Sequence, residues 1–166
     1  MSTQRISIAA IVLAIVFLTV TLSAIAGPGE TYRGAKLVKL TGTVMVKFAD
    51  SVIWNKAEEG MVLHQNDKIK TTDGASVTVI FDEDGSFGAS SKDYVDMYEG
   101  TVMLLAKAVY NKETQDKTTR LDLEIGKIVA NASTLRTKDS KFEVKTPTSI
   151  VGVRGTNYSV EYYPLK

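Results

Sequence analysis

The stretch that decides the fold is Ser76-Val77-Thr78-Val79-Ile80-Phe81-Asp82-Glu83-Asp84-Gly85. Every second residue from Val77 to Phe81 is a large apolar one, and the run stops at an acidic turn that ends in glycine. In an extended strand, successive side chains point to opposite faces, so a two-residue period predicts one buried face. This stretch therefore predicts a half-buried strand followed by a tight turn.

The same alternation recurs along the chain from Tyr32 onward, with turn residues between the runs. Thr101–Tyr110 would also fit one face of a helix, and we interpret it as a strand. The polar run 111–119 is predicted as the loop or hairpin tip before Leu121. The alternating apolar residues are Val44, Val46 and Phe48; Leu121, Leu123 and Ile125; Phe142 and Val144; and Tyr158, Val160 and Tyr162. The turn signals are Thr41-Gly42, Asn66-Asp67, Asp73-Gly74, Asp84-Gly85, Glu99-Gly100 and Ile125-Gly126. Many short strands with glycine and Asx corners predict an all-β fold.

Length and composition limit the classes of protein to which the chain can belong. Its 166 residues fit one folded domain plus an export segment. Lys and Arg total 20 against 19 Asp and Glu, and Arg5 is the only charge before residue 27, so the remainder is balanced at 19 against 19. This balance gives no electrostatic basis for binding nucleic acid. The absence of cysteine and the single histidine, His64, exclude disulfides, thiol nucleophiles and multi-histidine metal sites.

The N-terminal segment predicts export. Residues 6–26 are uncharged and apolar, and 21 helical residues at about 1.5 Å each would cross a bilayer core of about 30 Å. Ala24-Ile25-Ala26 also has the small residues of a signal-peptidase site, so both a cleaved signal peptide and a retained membrane anchor fit. In either case we expect 1–26 to be the export segment, 27–34 a linker, and 35–166 an extracytoplasmic domain.

A set of blocks in the exported part resembles the FecR family. The most specific block is the last one, in which a threonine-proline pair leads into Val-Arg-Gly-Thr. The blocks are Leu40–Val44 with Trp54; Gly60 with Leu63; Asn66–Thr71; Ser76–Phe81 leading into Asp84, Gly85 and Ser86; Gly126–Ile128; and Phe142–Pro147 running into Val151–Thr156 and Tyr158–Val160. Asn66 stands where the family usually has glycine, and asparagine also tolerates a left-handed backbone, so we expect the turn to form.

The resemblance implies a single β-solenoid-like or rolled-sheet domain of short antiparallel strands, preceded by one N-terminal hydrophobic helix. It further implies sensing and protein contact in the cell envelope, with no catalysis and no cofactor. Well-known members also carry a cytoplasmic arm that controls a sigma factor. Only Met1–Arg5 precede the apolar run here, so that activity is not expected.

The residues that carry the resemblance are expected to be structural. Arg154 would satisfy internal carbonyl groups or a carboxylate such as Asp67 or Asp84, and Asp82–Asp84 are expected to form a turn tip rather than a calcium loop. Tyr162 and Tyr163 are predicted to be a contact surface. The residues assigned to the family pattern are Gly42, Trp54, Asp67, Asp84, Gly85, Ser86, Thr146, Pro147, Gly152, Val153, Arg154, Gly155 and Thr156.

Two functions remain open from the sequence. The first is a non-enzymatic envelope module that recognises a protein partner or an envelope glycan and contacts the cytoplasmic membrane through residues 6–26 if these are retained. The second is a structural subunit of a surface layer or fibre that self-assembles by pairing edge strands. No pair of carboxylates or serine-histidine arrangement has the spacing of a catalytic site.

Overall fold

The structure, a computed structural model, describes residues 29–82, 87, 93–135 and 137–165. Within these residues it contains thirteen strands and no helix. The strands are β1 Glu30–Tyr32, β2 Gly34–Thr41, β3 Val44–Lys47, β4 Asn55–Lys56, β5 Val62–Leu63, β6 Lys68–Thr71, β7 Ser76–Asp82, β8 Asp93–Met97, β9 Val102–Asn111, β10 Lys117–Ala132, β11 Lys141–Lys145, β12 Ile150–Val153 and β13 Thr156–Tyr162.

The apolar alternation predicted from the sequence builds the core. Val77, Val79 and Phe81 of β7 are all buried, and most of the predicted residues of β3, β10 and β11 join them in the core. Ile125 of β10 was predicted with them but is only half-buried. Phe81 and Phe142 meet edge to face with their ring centroids 6.1 Å apart. The prediction of an all-β domain with one repeatedly buried face is confirmed.

Strand β10 is the centre of the sheet because it pairs with four other strands. Its first half lies between β9, which is antiparallel, and β11, which is parallel. Its second half lies between β8 and β13, both antiparallel. At the bend between the halves, Gly126 has a φ of 104° and the register with β9 shifts after Leu123. Gly126 was expected at a turn between strands, but it lies inside β10, where a glycine permits a bulge.

The sheet curls into a half-open roll. Its neighbours run in the order β4-β3-β6-β9-β10-β8-β7-β2-β5, with β1 added beside β9. This arrangement fits the rolled-sheet expectation and not a solenoid, because β10–β11 is the one parallel pair among the described strands. The strands are also not uniformly short: β9 has 10 residues and β10 has 16. The loop or hairpin tip expected over residues 111–119 is a hairpin turn, and it is shorter than expected because β9 ends at Asn111 and β10 begins at Lys117.

The N-terminal end of the described chain is part of the sheet. β1 pairs with β9, with Glu30 opposite Asn111 and Tyr32 opposite Val109. Residues 30–34 thus differ from the expected linker, because their backbone groups are taken up by sheet pairing and Arg33 is buried. The hydrophobic helix expected over residues 6–26 lies outside the described residues. Among the described residues, no helix is long and apolar enough to cross a membrane.

Candidate functional site

The Val153-Arg154-Gly155-Thr156 block forms the corner at which the chain leaves β12 and enters β13. β12 extends the half of the sheet that contains β11, while β13 pairs with the second half of β10. Gly155 has a φ of 97°, and a Cβ at this position would lie 2.7 Å from the Cα of Thr134. Only glycine satisfies both the backbone conformation and the close approach, so the corner requires Gly155.

Arg154 is exposed, and its side chain connects the corner to a neighbouring segment of the chain. Its Nη2 donates a hydrogen bond to the carbonyl oxygen of Lys138, in the segment that connects β10 with β11. Arg154 was expected to satisfy internal carbonyl groups or a carboxylate, whereas the carbonyl group that it contacts lies at the surface. Asp67 was also considered as a partner of Arg154, but its carboxylate accepts hydrogen bonds from backbone N–H groups instead.

The Thr146-Pro147 pair forms the turn between β11 and β12. The buried Thr146 accepts a hydrogen bond on Oγ1 from the Ser149 N–H at 3.0 Å, and its own N–H donates to the Ser149 carbonyl at 2.8 Å. Pro147 is exposed at the tip of this turn. Gly152 has open space beside it, since a Cβ added there would approach only the Glu143 Cγ, at 3.9 Å. The turn and the corner together fix the ends of β12.

The family block thus places two edge strands at the surface. Among the described residues, β12 pairs only with β11, and β13 pairs only with β10. Asn157, Ser159 and Glu161 of β13 are exposed, as is Ile150 of β12. An edge strand offers backbone N–H and C=O groups to an incoming strand, so this region is suited to strand addition.

Asp67, another residue of the blocks that resemble the FecR family, connects two loops through its side chain. Its side chain is buried and accepts hydrogen bonds from the N–H groups of Ala49 at 2.9 Å and His64 at 2.7 Å. These bonds tie the turn before β6 to the loop after β3. Asn66 has a φ of 71°, which confirms that asparagine adopts the left-handed conformation here.

The remaining predicted residues are spread over the surface. Gly42, with a φ of 70°, follows β2 and approaches Ala75, and Trp54 lies near Lys47 with Nζ 5.6 Å from the ring centroid. Tyr162 packs partly against the core, while Tyr163 is 59% exposed. Asp84, Gly85 and Ser86 lie outside the described residues. Within the part of the chain that the structure describes, no cluster of acidic or histidine side chains is arranged to hold a metal ion.

A buried ion pair was missed by the sequence reasoning. Arg33 donates through Nη2 to Asp93 Oδ2 and through Nη1 to Thr119 Oγ1 at 3.0 Å. Asp93 Oδ1 also accepts from the Ser133 N–H at 2.6 Å. Burial raises the pKa of Asp93, but the Arg33 guanidinium and the Ser133 hydrogen bonds outweigh it and hold this pKa below its usual value. The sequence signal for this pair was a charged residue, Arg33, at the start of an alternating run. That signal does not identify the residue with which Arg33 pairs.

Comparison with known proteins gives a match at the level of the family. A search of curated proteins and a search of solved structures each return no match. The sequence model described as FecR protein matches residues 67–164. This range contains the Asp67 turn, the bent strand β10 and the β12–β13 corner. Because it covers more than half of the chain, the protein belongs to the FecR family.

Proposed function

We propose that this chain is an exported, non-enzymatic sensor module of the cell envelope that binds a protein partner by strand addition along β13. Its family membership supports the general role, because FecR proteins are sensing and regulatory domains. The observation that carries the proposal is that the family's most specific block builds β12 and β13, which each have an unpaired side among the described residues. The role assigned to β13 is contact, not catalysis.

Strand β13 is suited to this role by length and side-chain character. It has seven residues, and it pairs with β10 without interruption from Gly126 to Ala132. Val160 is buried and Tyr158 packs on the core, so one face of β13 is anchored. The exposed Asn157 and Ser159 carry no charge that would repel a pairing strand. We favour a protein over an envelope glycan because strand addition uses peptide groups on both sides.

Capture from envelope extracts tests the proposal. The double variant N157K/S159K places two lysines on the exposed face of β13, and edge lysines oppose strand pairing. The matched control Q65K/T41K adds the same charge at exposed positions away from β13. We expect a protein retained by the native chain and by the control to be lost from the β13 variant.

Two results would contradict the proposal. Equal retention of the protein by the β13 variant would show that the partner binds elsewhere. Retention of polysaccharide alone by the native chain would identify a glycan module, for which Tyr163 and Trp54 are the exposed or half-buried rings to test.

Self-assembly into a surface layer or fibre is the second candidate function, and the same exposed edge supports it. A second copy would pair its own edge strand with β13. Size-exclusion chromatography and electron microscopy over a range of concentrations separate the two functions. Concentration-dependent polymers that N157K/S159K abolishes would favour assembly, whereas a chain that remains monomeric at high concentration would exclude self-association without a further component.

We also propose the extracytoplasmic location and the membrane contact from the apolar residues 6–26. Mass spectrometry of the mature N-terminus tests both. A mature chain that begins at Gly27 would indicate a released domain, and one that retains residues 6–26 would indicate an anchored domain.

A further inference from the structure

The turn between β3 and β4 presents large apolar side chains to solvent. Val52 is 90% exposed and Ile53 is 66% exposed, and they are followed directly by Trp54. Adjacent exposed aliphatic side chains are unfavourable in water unless they have an apolar partner. The turn therefore offers a small apolar surface that the described residues leave uncovered.

The backbone of this turn is held in place independently of those side chains. The Ser51 N–H donates to the Phe48 carbonyl at 3.0 Å, and the Ile53 N–H donates to Ser51 Oγ at 3.1 Å. At the base of the turn, the Ala49 N–H donates to the buried Asp67 carboxylate at 2.9 Å. Val52 and Ile53 are thus presented on a fixed loop, which reduces the entropy lost on docking.

The strand registers direct this turn toward the N-terminal side of the domain. β3 and β9 are both antiparallel to β6, so they run in the same direction, and Lys47 is level with Leu104 through Lys68. The chain after Lys47 therefore continues toward the end of β9, where Glu30 pairs with Asn111. The turn and β1 lie toward the same end of the sheet.

The length of chain before β1 limits how far this end can be from a membrane. Glu30 follows the end of the apolar run at Ala26 by four positions, and fully extended these span about 14 Å, at roughly 3.5 Å per residue. If residues 6–26 are retained in the bilayer, as the proposed function allows, Glu30 and the end of β9 are held near the lipid surface, on the side toward which the turn points.

The residues around the turn match the chemistry of a bilayer interface. Tryptophan favours the headgroup level, and lysine stems lie along apolar surface while the ammonium groups reach phosphate. Lys47 lies over the Trp54 ring, and Lys56 of β4 is exposed. We propose that residues 51–54 form a membrane-contact turn that inserts Val52 and Ile53 into the outer leaflet and so orients the domain on the membrane. This inference rests on the anchored form of the proposed function.

The single tryptophan of the chain, Trp54, provides the test. The full chain is reconstituted into phosphatidylcholine–phosphatidylglycerol vesicles that contain lipids brominated on the acyl chains, which quench tryptophan on contact. We expect Trp54 to be quenched, and we expect V52S/I53S to lower the ratio of docked to undocked domain about tenfold or more, because two aliphatic side chains leave the apolar phase. The matched control I150S removes an exposed aliphatic side chain from β12 and should leave quenching unchanged.

Three outcomes would overturn the inference. Unquenched Trp54 in a chain that resists alkaline carbonate extraction would show that the anchor is present and the turn does not dock, which leaves the proposed binding function intact. Unquenched Trp54 in a chain that alkaline carbonate extracts from the vesicles would show that residues 6–26 do not anchor the chain. Cross-linking of position 53 to a second copy, or to another protein, in place of lipid would assign the turn to a protein interface.

Discussion

The guanidinium of Arg33 and the carboxylate of Asp93 form an ion pair in the interior of the sheet, with side-chain exposures of 3% and 1%. Arg33 lies directly before β2, and Asp93 begins β8. The pair therefore joins the N-terminal end of the described chain to the second half of the roll, and Thr119 and Ser133 add contacts from β10 and the segment after it. The position at which residues 30–33 join the domain is held by this pair.

Asp93→Asn should destabilise the domain by about 3–5 kcal/mol, because it leaves a buried guanidinium without its counter-charge. Urea denaturation followed by circular dichroism measures this change. Glu161→Gln is the matched control, since the Lys127–Glu161 pair is at the surface, where water and salt screen the charges, and its loss should be much smaller. Similar losses in the two variants would mean that the interior pair is not a major source of stability.

The low pKa of Asp93 predicts a specific acid sensitivity. A carboxylate whose pKa is lower in the folded state stabilises the fold above its unfolded pKa, ordinarily 3.8, and this contribution is lost as the pH falls through the folded value. The difference in unfolding free energy between the native chain and Asp93→Asn should thus be constant near neutral pH and shrink below about pH 4. A difference that stays the same down to about pH 2 would contradict this assignment.

The sequence predicted what depends on local periodicity and could not predict what depends on distant contacts. Alternation in β7 and β11 identified Val77, Phe81 and Phe142 as core residues without any knowledge of pairing. The Arg33–Asp93 pair joins residues 60 positions apart, and no local pattern relates them. Gly126 shows the intermediate case: glycine signalled an unusual backbone, but only the packing of Thr101 against it distinguishes a bulge from a turn.

Three glycines of the family region should respond differently to alanine. A Cβ on Gly126 would lie 2.5 Å from the Thr101 Cα, and one on Gly155 would lie 2.7 Å from the Thr134 Cα, and both residues have positive φ. Each substitution should destabilise the domain by about 1–3 kcal/mol or more.

Gly152→Ala is the control, because its nearest neighbour is 3.9 Å away. It should be neutral or stabilising by up to about 1 kcal/mol, since alanine reduces the entropy of the unfolded chain. Thermal unfolding of the three variants measures the contrast. If Gly152→Ala is as damaging as Gly155→Ala, Gly152 has a requirement beyond steric fit, such as contact with the partner strand.

Tyr32 and Tyr158 differ in how their hydroxyl groups are satisfied. Tyr32 donates a hydrogen bond to the Leu63 carbonyl, whereas the buried Tyr158 hydroxyl has no partner among the described residues. Burial raises the pKa of Tyr158, and burial together with the nearby Asp67 charge raises that of Tyr32. The two residues form a matched pair for the same substitution.

Tyr32→Phe should lower the unfolding free energy by about 1 kcal/mol, because it leaves the Leu63 carbonyl without this donor. Tyr158→Phe should be neutral or stabilising by about 1 kcal/mol, because it removes a hydroxyl that is dehydrated without compensation while the ring keeps its edge-to-face contact with Phe142. Urea denaturation of both variants gives the comparison. A loss of stability in Tyr158→Phe equal to that in Tyr32→Phe would indicate that the Tyr158 hydroxyl has a hydrogen-bond partner, such as a bound water, and would remove the basis for distinguishing the two sites.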